Sequence, residues 1–413
     1  MSALRSLVLC LCLASPFIAR ANEPLGILLT WAEDPLRSIV IDWQTPASKE
    51  GHALEVRERG VRDTWQSKQA EAIPFPFSNR TIHRVHLRDL SPGTEYEFRM
   101  EGFERVYFFR TMPENNLAPI TIALGGDTRH RKEWMDAVNR QAMRYDPDFI
   151  VWGGDFSYAD GREDLLYRWY EWFDSVRETL ITAEGRVVPI VGCIGNHEVR
   201  GGYIWGGGRG EDGYEPTDAF RASIAPYFYT LFAFPGQPGY AALDFGNYLS
   251  LVFLDTDHAN PVPGDQTAWL RRALAERSGL FGQIIPVYHV PAYPSHRPYD
   301  GRVSQRVREH WVPLFEESGV RFAFENHDHT YKRTLPLRQH QPSEDGIIYF
   351  GDGAWGVGAR EVRPVEDYGY MARAVSARHA IILTLQGGHV SVEVISEDGE
   401  IIDRFPEATQ RQP

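Results

Sequence analysis

Cysteine is scarce in this sequence, and its positions exclude a disulfide framework. Of three cysteines in 413 residues, Cys10 and Cys12 lie in an N-terminal apolar run. If that run is removed as a signal sequence, Cys193 is the single thiol left and no internal disulfide can form. The stability of the chain must therefore come from core packing and from any bound metal.

Long apolar runs are also missing. The run over residues 7–13 is followed by Pro16, so it is too short to span a bilayer. Arg5 precedes it and an Ala-Arg-Ala sequence ends at Ala21, a pattern typical of a cleaved secretory signal. We therefore predict a signal peptide over residues 1–21, a secreted or periplasmic protein and no membrane span.

Basic side chains are in the minority. Without Arg5 and Arg20, 41 lysines and arginines face 56 aspartates and glutamates, a formal charge of −15. Such an acidic surface argues against sequence-independent binding to nucleic acid or anionic membranes. The remaining chain of about 390 residues exceeds what one core usually holds, so we predict two domains.

The N-terminal part has short, partly alternating apolar runs that are separated by turn residues. The clearest cover residues 27–31, 39–43, 81–87, 96–100 and 106–111. This pattern predicts an antiparallel β-sandwich over residues 22–113, and the block resembles a fibronectin type III-like module. It contains no cluster of titratable residues that would indicate chemistry.

A polar break at residues 112–116 predicts the domain boundary. Beyond it, apolar strands alternate with helical segments, which indicates an α/β fold (α+β in its later part) over residues 117–400. The predicted buried strands cover residues 120–124, 149–152, 187–194, 284–288 and 321–324. Residues 401–413 are predicted to be a polar tail.

Each of these five strands is followed by a cluster of polar residues. The clusters cover residues 125–129, 153–158, 195–198, 289–293 and 325–333. In the last cluster His327 and His329 are two residues apart, so an extended backbone presents both imidazoles to one side. Because ligands of open α/β sheets bind outside the carboxyl ends of strands, the five clusters can converge on one site.

The clusters contain a set of oxygen and nitrogen donors. These are Asp127, Asp155, Tyr158, Asn196, His289, His327 and His329. Such donors suit iron, zinc or manganese, and a carboxylate can bridge two of these ions around an activated hydroxide. A phenol becomes a good ligand only beside a strongly acidic cation, so Tyr158 indicates a ferric ion. Any one of these Asp or His residues, taken singly, is better explained as a structural hydrogen-bonding group.

Three motifs carry a resemblance to a known family. They are Gly154-Asp155-x-x-Tyr158, Gly195-Asn196-His197-Glu198 and His327-x-His329-x-Tyr331-x-Arg333. Behind a fibronectin-like domain they resemble the metallophosphoesterase superfamily and, within it, the purple acid phosphatases. The resemblance implies a catalytic domain with two mixed sheets flanked by helices.

The resemblance also implies roles for the donors. Asp127, Tyr158 and His329 would bind a ferric ion. Asn196, His289 and His327 would bind a divalent ion of iron, zinc or manganese, and Asp155 would bridge the two metals. His197 matches the histidine that contacts the substrate phosphate, and His296 lies near the position of a histidine that protonates the leaving group.

Several other residues carry smaller expectations. Asn326 stands where the family usually has glycine, and its tolerance of positive φ would preserve the turn. Arg129 either contacts phosphate or narrows the pocket, and His130 is expected at the surface. Residues 201–213, rich in glycine, lack the ending of a P-loop and are expected to form a loop beside the site.

The resulting hypothesis is a secreted enzyme that hydrolyses phosphate monoesters of small molecules by attack of a metal-bound hydroxide. One alternative is a phosphodiesterase that acts on nucleotides or phospholipid head groups with the same metals. Another is a non-catalytic secreted binding protein with a vestigial metal site.

Overall fold

The computed structural model describes residues 23–47, 52–62, 64–205 and 216–406. The N-terminal part contains eight strands. They are β1 (Gly26–Thr30), β2 (Ile39–Pro46), β3 (Ala53–Glu58), β4 (Gln66–Gln69), β5 (Glu71–Pro74), β6 (Arg80–Leu87), β7 (Glu95–Met100) and β8 (Tyr107–Arg110).

These strands form two four-stranded antiparallel sheets, which confirms the predicted sandwich. One sheet has the order β1-β2-β6-β5, and the other has the order β4-β3-β7-β8. The five strands expected from sequence are present, but β3, β4 and β5 are additional. For two of these three strands the reason is their exposure. β4 is fully exposed and β5 is mostly exposed, so neither has an apolar face that sequence periodicity could reveal.

The C-terminal part contains fifteen strands in the described residues. They are β9 (Ile120–Gly125), β10 (Phe149–Trp152), β11 (Ile190–Gly192), β12 (Ala241–Phe245), β13 (Leu249–Phe253), β14 (Gln283–Val287), β15 (Phe322–Phe324), β16 (Tyr331–Thr334), β17 (Leu337–Arg338), β18 (Gln341–Pro342), β19 (Ile348–Gly351), β20 (Met371–Val375), β21 (His379–Gln386), β22 (His389–Ser396) and β23 (Ile401–Phe405).

Seven α-helices accompany these strands within the same described residues. They are α1 (Lys132–Met143), α2 (Tyr167–Thr179), α3 (Asp218–Ile224), α4 (Pro226–Leu231), α5 (Asp265–Arg277), α6 (Arg302–His310) and α7 (Val312–Glu317).

Two mixed sheets make the centre of this part, as the sequence predicted. The six-stranded sheet has the order β11-β10-β9-β21-β22-β23, in which β9, β10 and β11 are parallel. The seven-stranded sheet has the order β12-β13-β14-β15-β19-β16-β20, with β13, β14, β15 and β19 parallel. The five buried strands predicted from sequence are therefore divided between two sheets.

Side-chain alternation along the strands builds the layers. Ile122 and Leu124 of β9 belong to the core between the two sheets, whereas Ala123 faces the helical layer of α1 and α2. On the other sheet, Ile285 lies between the sheets and Ile284 packs with α5, α6 and α7. The result is a four-layer arrangement in which both sheets are covered on both faces.

Trp134 of α1 lies at the edge of the core. Val138 and Ala142 of α1 are fully buried, but Trp134 is only half-buried. The Trp134 ring packs under two guanidinium groups, with Arg131 at 4.8 Å and Arg378 at 4.4 Å from its centroid. The amphipathic ring therefore covers the helix surface beside these cations and does not enter the core.

The predicted tail over residues 401–413 is wrong at its start. Residues Ile401–Phe405 form β23, which pairs antiparallel with β22. Asp403 accepts hydrogen bonds from Tyr331 Oη at 2.6 Å and from Arg333 Nε at 2.7 Å, and Phe405 packs 5.9 Å from Phe350. These contacts hold the segment on the sheet despite its charged residues.

Some expectations fall outside the described residues. They are the signal peptide over residues 1–21, residues 206–213 of the glycine-rich stretch and residues 407–413 of the tail. Among the residues that are described, no helix combines the length and apolar character needed to cross a bilayer.

Candidate metal centre

The loops after the five strands are joined to each other by backbone hydrogen bonds. Gly153 N–H donates to Gly125 O at 2.7 Å, which links the ends of β9 and β10. Asn326 N–H donates to His289 O at 2.9 Å, which links the ends of β14 and β15 in the other sheet. Because the ends of the parallel strands meet at one edge, these loops can share one site.

Asp127, Tyr158 and His329 meet in a first group. Tyr158 Oη donates a hydrogen bond to Asp127 Oδ1 at 2.9 Å and lies 3.2 Å from His329 Nε2. The third side of the triangle, from His329 Nε2 to Asp127 Oδ1, is 3.0 Å. All three side chains are buried, so their donor atoms face one small shared volume.

Asp155, Asn196, His289 and His327 meet in a second group. His289 Nε2 lies 3.1 Å from Asn196 Oδ1, 3.1 Å from His327 Nδ1 and 3.2 Å from Asp155 Oδ2. The other nitrogen of His289, Nδ1, lies 2.8 Å from Gly153 O, which fixes the ring orientation. The ligand atoms of Asp155, His289 and His327 all lie within 4.8 Å of each other.

Asp155 provides the observation that tests whether a cation fits. Its Oδ1 accepts a hydrogen bond from His197 N–H at 2.7 Å, whereas its buried Oδ2 accepts no hydrogen bond from the described residues and has His289 Nε2 as a neighbour at 3.2 Å. A buried carboxylate oxygen without a hydrogen bond is unfavourable unless a cation faces it. Together with a donor set of oxygen and nitrogen, this atom fits a metal centre.

The backbone at these positions is unusual. The φ angle is positive at five of the seven predicted ligands, namely Asp127, Asp155, Tyr158, His327 and His329. The left-handed conformation is unfavourable for non-glycine residues by about 1 to 3 kcal/mol each and is concentrated at functional sites. The surrounding loops hold the donors in place against this strain.

Gly195 lies so close to Asp155 that only a glycine fits at this position. A Cβ atom on Gly195 would lie 2.3 Å from Asp155 Oδ1 and 2.5 Å from Asp155 N. A larger residue at this position would displace the carboxylate that lies at the centre of the second group. The Gly195-Asn196 pair therefore places an amide ligand and leaves room for Asp155.

Charges in the site influence each other strongly. Burial opposes protonation of His289, but the Asp155 and Asp127 carboxylates outweigh it and raise the pKa of His289 to about 9. Burial and the Asp127 carboxylate raise the pKa of Tyr158 well above its usual value. If these residues held a cation, His289 would be a neutral imidazole ligand and Tyr158 a phenolate ligand.

The two predicted catalytic histidines lie in different surroundings. The His197 ring is half-buried, its Nδ1 lies 2.5 Å from Asp160 Oδ1, and its centroid lies 4.2 Å from that of Tyr158. His296 is exposed, and its Nδ1 lies 2.9 Å from Glu361 O. His197 therefore borders the first group, whereas the His296 ring is held against a neighbouring loop.

Two residues that support the site received no role in the sequence analysis. The buried Glu198 carboxylate accepts hydrogen bonds from the N–H groups of Asp155, Phe156 and Gly195, each at 2.8 Å. Tyr203 Oη lies 2.7 Å from His327 Nε2 and 3.4 Å from Asn196 Oδ1. The sequence could have indicated Glu198, because it follows the predicted ligand Asn196 by two residues. Tyr203 lies in a glycine-rich stretch, and no motif there indicates a role for it.

The structure corrects the expectation for Asn326. Its φ angle is not positive, so left-handed tolerance does not explain its presence. Instead, its side chain occupies the space left by Gly126 and Gly153, where a Cβ atom would lie 2.4 Å and 1.7 Å from its amide atoms. Asn326 Nδ2 also donates to Tyr288 O at 3.0 Å, which ties this residue to the segment directly after β14.

Arg129 and His130 were the other two residues with an expectation from the sequence. Arg129 is buried and pairs with Glu171 of α2, so its guanidinium neutralises a helix carboxylate. His130 is exposed as expected, but its ring lies 4.5 Å from the Tyr158 ring and 5.5 Å from the His329 ring. It therefore borders the first group.

The sequence also matches known families. A family model described as calcineurin-like phosphoesterase matches residues 120–331, and a family model for the N-terminal domain of purple acid phosphatase matches residues 24–111. The chain therefore belongs to the calcineurin-like phosphoesterase family. It is accordingly a metal-dependent phosphatase, a hydrolase of phosphate ester bonds.

Individual relatives agree with this assignment. An uncharacterized protein of Mycobacterium tuberculosis is 23% identical over 89% of this chain and 69% of its own length. Purple acid phosphatase 13 of Arabidopsis thaliana is 23% identical over 71% of this chain and 57% of its own length. Human acid phosphatase type 7 is 23% identical over 78% of this chain and 76% of its own length.

Solved structures share the fold. The purple acid phosphatase PPD1 from yellow lupin seeds superposes with a TM-score of 0.74 at 18% identity, covering 93% of this chain and 74% of the lupin chain. PhoD superposes with a TM-score of 0.64 at 14% identity, covering 93% of each chain. Together, the two family models and the acid phosphatase relatives show that the protein is a purple acid phosphatase-like metallophosphoesterase, which confirms the predicted resemblance.

Proposed function

We propose that the protein is a secreted or periplasmic phosphatase with a dinuclear metal centre that hydrolyses phosphate monoesters. The observation that carries the proposal is the buried Asp155 Oδ2, which accepts no hydrogen bond from the described residues and lies 3.2 Å from His289 Nε2 in the second group of donors. Asp127, Tyr158 and His329 would hold a ferric ion. Asn196, His289 and His327 would hold a divalent ion of iron, zinc or manganese, with Asp155 shared between the two.

The protein's own residues then have defined tasks. When bound, the metal pair supplies Lewis acidity that activates water and neutralises charge on the phosphate. His197 Nδ1–H donates a hydrogen bond to Asp160 Oδ1, so His197 Nε2 can donate to a phosphate oxygen when the imidazole is protonated. Burial opposes this protonation, but the Asp155 and Asp160 carboxylates outweigh it and raise the pKa of His197. His296 stays a predicted proton donor to the leaving group, which requires its exposed ring to leave Glu361 O.

Replacement of Asp155 by alanine tests the proposal. We expect Asp155→Ala to lose bound metal and to reduce kcat/KM for a phosphate monoester by more than about 100-fold, since even supporting residues contribute about 10 to 100-fold. Asp164→Ala is the control, because Asp164 is exposed and pairs with Arg162 near the site. A metal-replete, fully active Asp155→Ala protein would refute the assignment.

A second experiment addresses the type of ester. We expect faster hydrolysis of phenyl phosphate than of the corresponding diester across the acid to neutral range. Faster turnover of the diester would contradict the proposed monoesterase activity and support the phosphodiesterase alternative.

Export is proposed from the signal pattern in the sequence. Mass spectrometry of the exported protein should give an N-terminus at Asn22.

A further inference from the structure

Three side chains that carry nitrogen donors border the first group of donors on its accessible side. The half-buried His197 ring has its centroid 4.2 Å from that of Tyr158, and the exposed His130 ring lies 4.5 Å from the same phenol ring. The third is Arg360, a partly exposed residue in the loop after β19. The proposed function gives His197 a task in phosphate binding but gives none to Arg360.

The loop that carries Arg360 is fixed against the first group. Arg360 N–H donates a hydrogen bond to His329 O at 2.9 Å. Ala354 and Val357 of the same loop pack with Tyr158 in a small buried cluster. The backbone of Arg360 is therefore held beside two predicted metal ligands, and a change of its side chain leaves the backbone contact in place.

The charged groups around the Arg360 side chain belong to the site. Burial and the Arg297 guanidinium lower the pKa of Arg360. The carboxylates of Asp127 and Asp328 act in the opposite direction, as does the Tyr158 phenol. All four residues lie in loops that carry predicted ligands, so the Arg360 guanidinium lies within electrostatic range of the proposed metal centre.

The Arg360 guanidinium makes no hydrogen bond or ion pair with the residues that the structure describes. Two other arginines near the site differ in this respect, since Arg129 pairs with Glu171 and Arg297 Nη1 donates to Asp328 Oδ1 at 2.9 Å. A partly buried cation without a partner has lost hydration that no group of the chain replaces. A bound anion would replace it.

We propose that Arg360 is a further substrate-binding residue, whose guanidinium binds oxygen of the phosphate group held at the metal centre. The inference rests on the proposed function, because it assumes that the two groups of donors hold metal and that phosphate binds there. A guanidinium presents its N–H donors as a planar fork, which matches the oxygens of a phosphate group. Arg360 thus acts together with His197 on the side of the first group.

Substitution of Arg360 by glutamine tests the proposal on the metal-loaded protein. We expect Arg360→Gln to raise the dissociation constant of inorganic phosphate in calorimetry, and KM for phenyl phosphate, about tenfold or more, because a hydrogen bond to a charged group contributes at least this factor. The metal content should not change, since the hydrogen bond from residue 360 N–H to His329 O remains.

Arg363→Gln is the matched control, because it removes the same charge three residues away. The Arg363 side chain is exposed, and its guanidinium carbon lies 4.4 Å from the centroid of the Tyr368 ring. We expect this variant to keep the phosphate affinity and the KM of the unaltered protein.

Chemical modification of the unaltered, metal-loaded protein gives a second test that needs no variant. Phenylglyoxal modifies accessible arginines, and mass spectrometry of peptides locates the products. Inorganic phosphate should slow the modification of Arg360 and leave that of Arg363 unchanged.

The outcomes separate this inference from the proposed function. Equal phosphate affinity of Arg360→Gln and Arg363→Gln, loss of metal from Arg360→Gln, or no protection of Arg360 by phosphate would overturn the role of Arg360 and leave the phosphatase assignment intact. Weaker phosphate binding by Arg360→Gln, in a protein that hydrolyses no phosphate ester, would keep the phosphate contact and refute the proposed function.

Discussion

Tyr203 carries a hydroxyl group that joins two of the predicted metal ligands. If His327 binds metal through Nδ1, which faces His289, its Nε2–H donates to Tyr203 Oη, and Tyr203 can donate in turn to Asn196 Oδ1. Groups of this kind hold first ligands in the correct orientation and tautomer. We therefore infer that Tyr203 is a positioning residue for the proposed second metal.

Removal of this hydroxyl group should weaken metal binding. We expect Tyr203→Phe to lower the affinity for one of two metals by about 10 to 100-fold, as measured by titration with a competing chelator. Tyr299→Phe is a suitable control, because Tyr299 is 39% exposed and packs on Tyr293 and Tyr370. An affinity unchanged by Tyr203→Phe would mean that the contact does not position His327.

At the residue scale, the sequence indicates candidate metal ligands more readily than the residues that hold those ligands in place. Asp155 and His327 stand out because carboxylates and imidazoles directly follow apolar strands. Glu198 and Tyr203 could not be ranked in the same way, because their roles depend on contacts across 43 and 124 residues of chain. Such pairings are set by tertiary packing, which short-range spacing does not record.

At the scale of elements, the loops after the parallel strands determine the site. Gly353, in the loop after β19, has a φ of +60°, and a Cβ atom there would lie 2.0 Å from Asp127 Oδ2. The loop is thus packed against a predicted ligand of the first metal. Its position shows that a strand absent from the five predicted ones also contributes to the site.

Gly353→Ala should therefore disturb both folding and metal binding. We expect a loss of about 1 to 3 kcal/mol in the free energy of unfolding and weaker metal binding, because the backbone is left-handed and Asp127 must move. Gly358→Ala is the matched control, since no heavy atom of the described structure outside its chain neighbours would lie within 4 Å of its Cβ. Equal metal content in the two variants would contradict the role given to this loop.

The elements themselves were predictable where burial was continuous. Phe149–Trp152 is buried at all four positions, and the predicted strand has the same limits. The exposed strand Glu71–Pro74 and the charged strand Ile401–Phe405 were missed, because edge strands are held by pairing and by a few specific contacts. Apolar periodicity does not identify strands of this kind.

At the scale of the whole molecule, a buried ion pair joins the sandwich to the C-terminal part. Arg84 of β6 pairs with Asp42 of β2, and its Nη2 also donates to Thr230 O and Leu231 O of α4, each at 3.0 Å. Trp31 adds an apolar contact, with its ring 5.4 Å from Phe149 of β10. The two parts therefore share one continuous core.

Removal of Arg84 should destabilise this joint. We expect Arg84→Ala to lower the free energy of unfolding by about 3 to 5 kcal/mol, because Asp42 would remain buried and unpaired. Denaturant titration at neutral pH measures the effect. Arg88→Ala, which removes an exposed pair with Glu33, should cause no measurable change. Similar stability of the two variants would argue against a structural role for the Arg84 contacts between the sandwich and the C-terminal part.

We propose that seven side chains from the loops of two sheets hold a pair of cations. Elemental analysis of the purified full-length protein, after reconstitution with iron and zinc and removal of free metal, tests it most directly. We predict two metal ions per chain in the unaltered protein and loss of both in Asp155→Ala. A folded protein that retains no metal after reconstitution, and stays inactive, would contradict it.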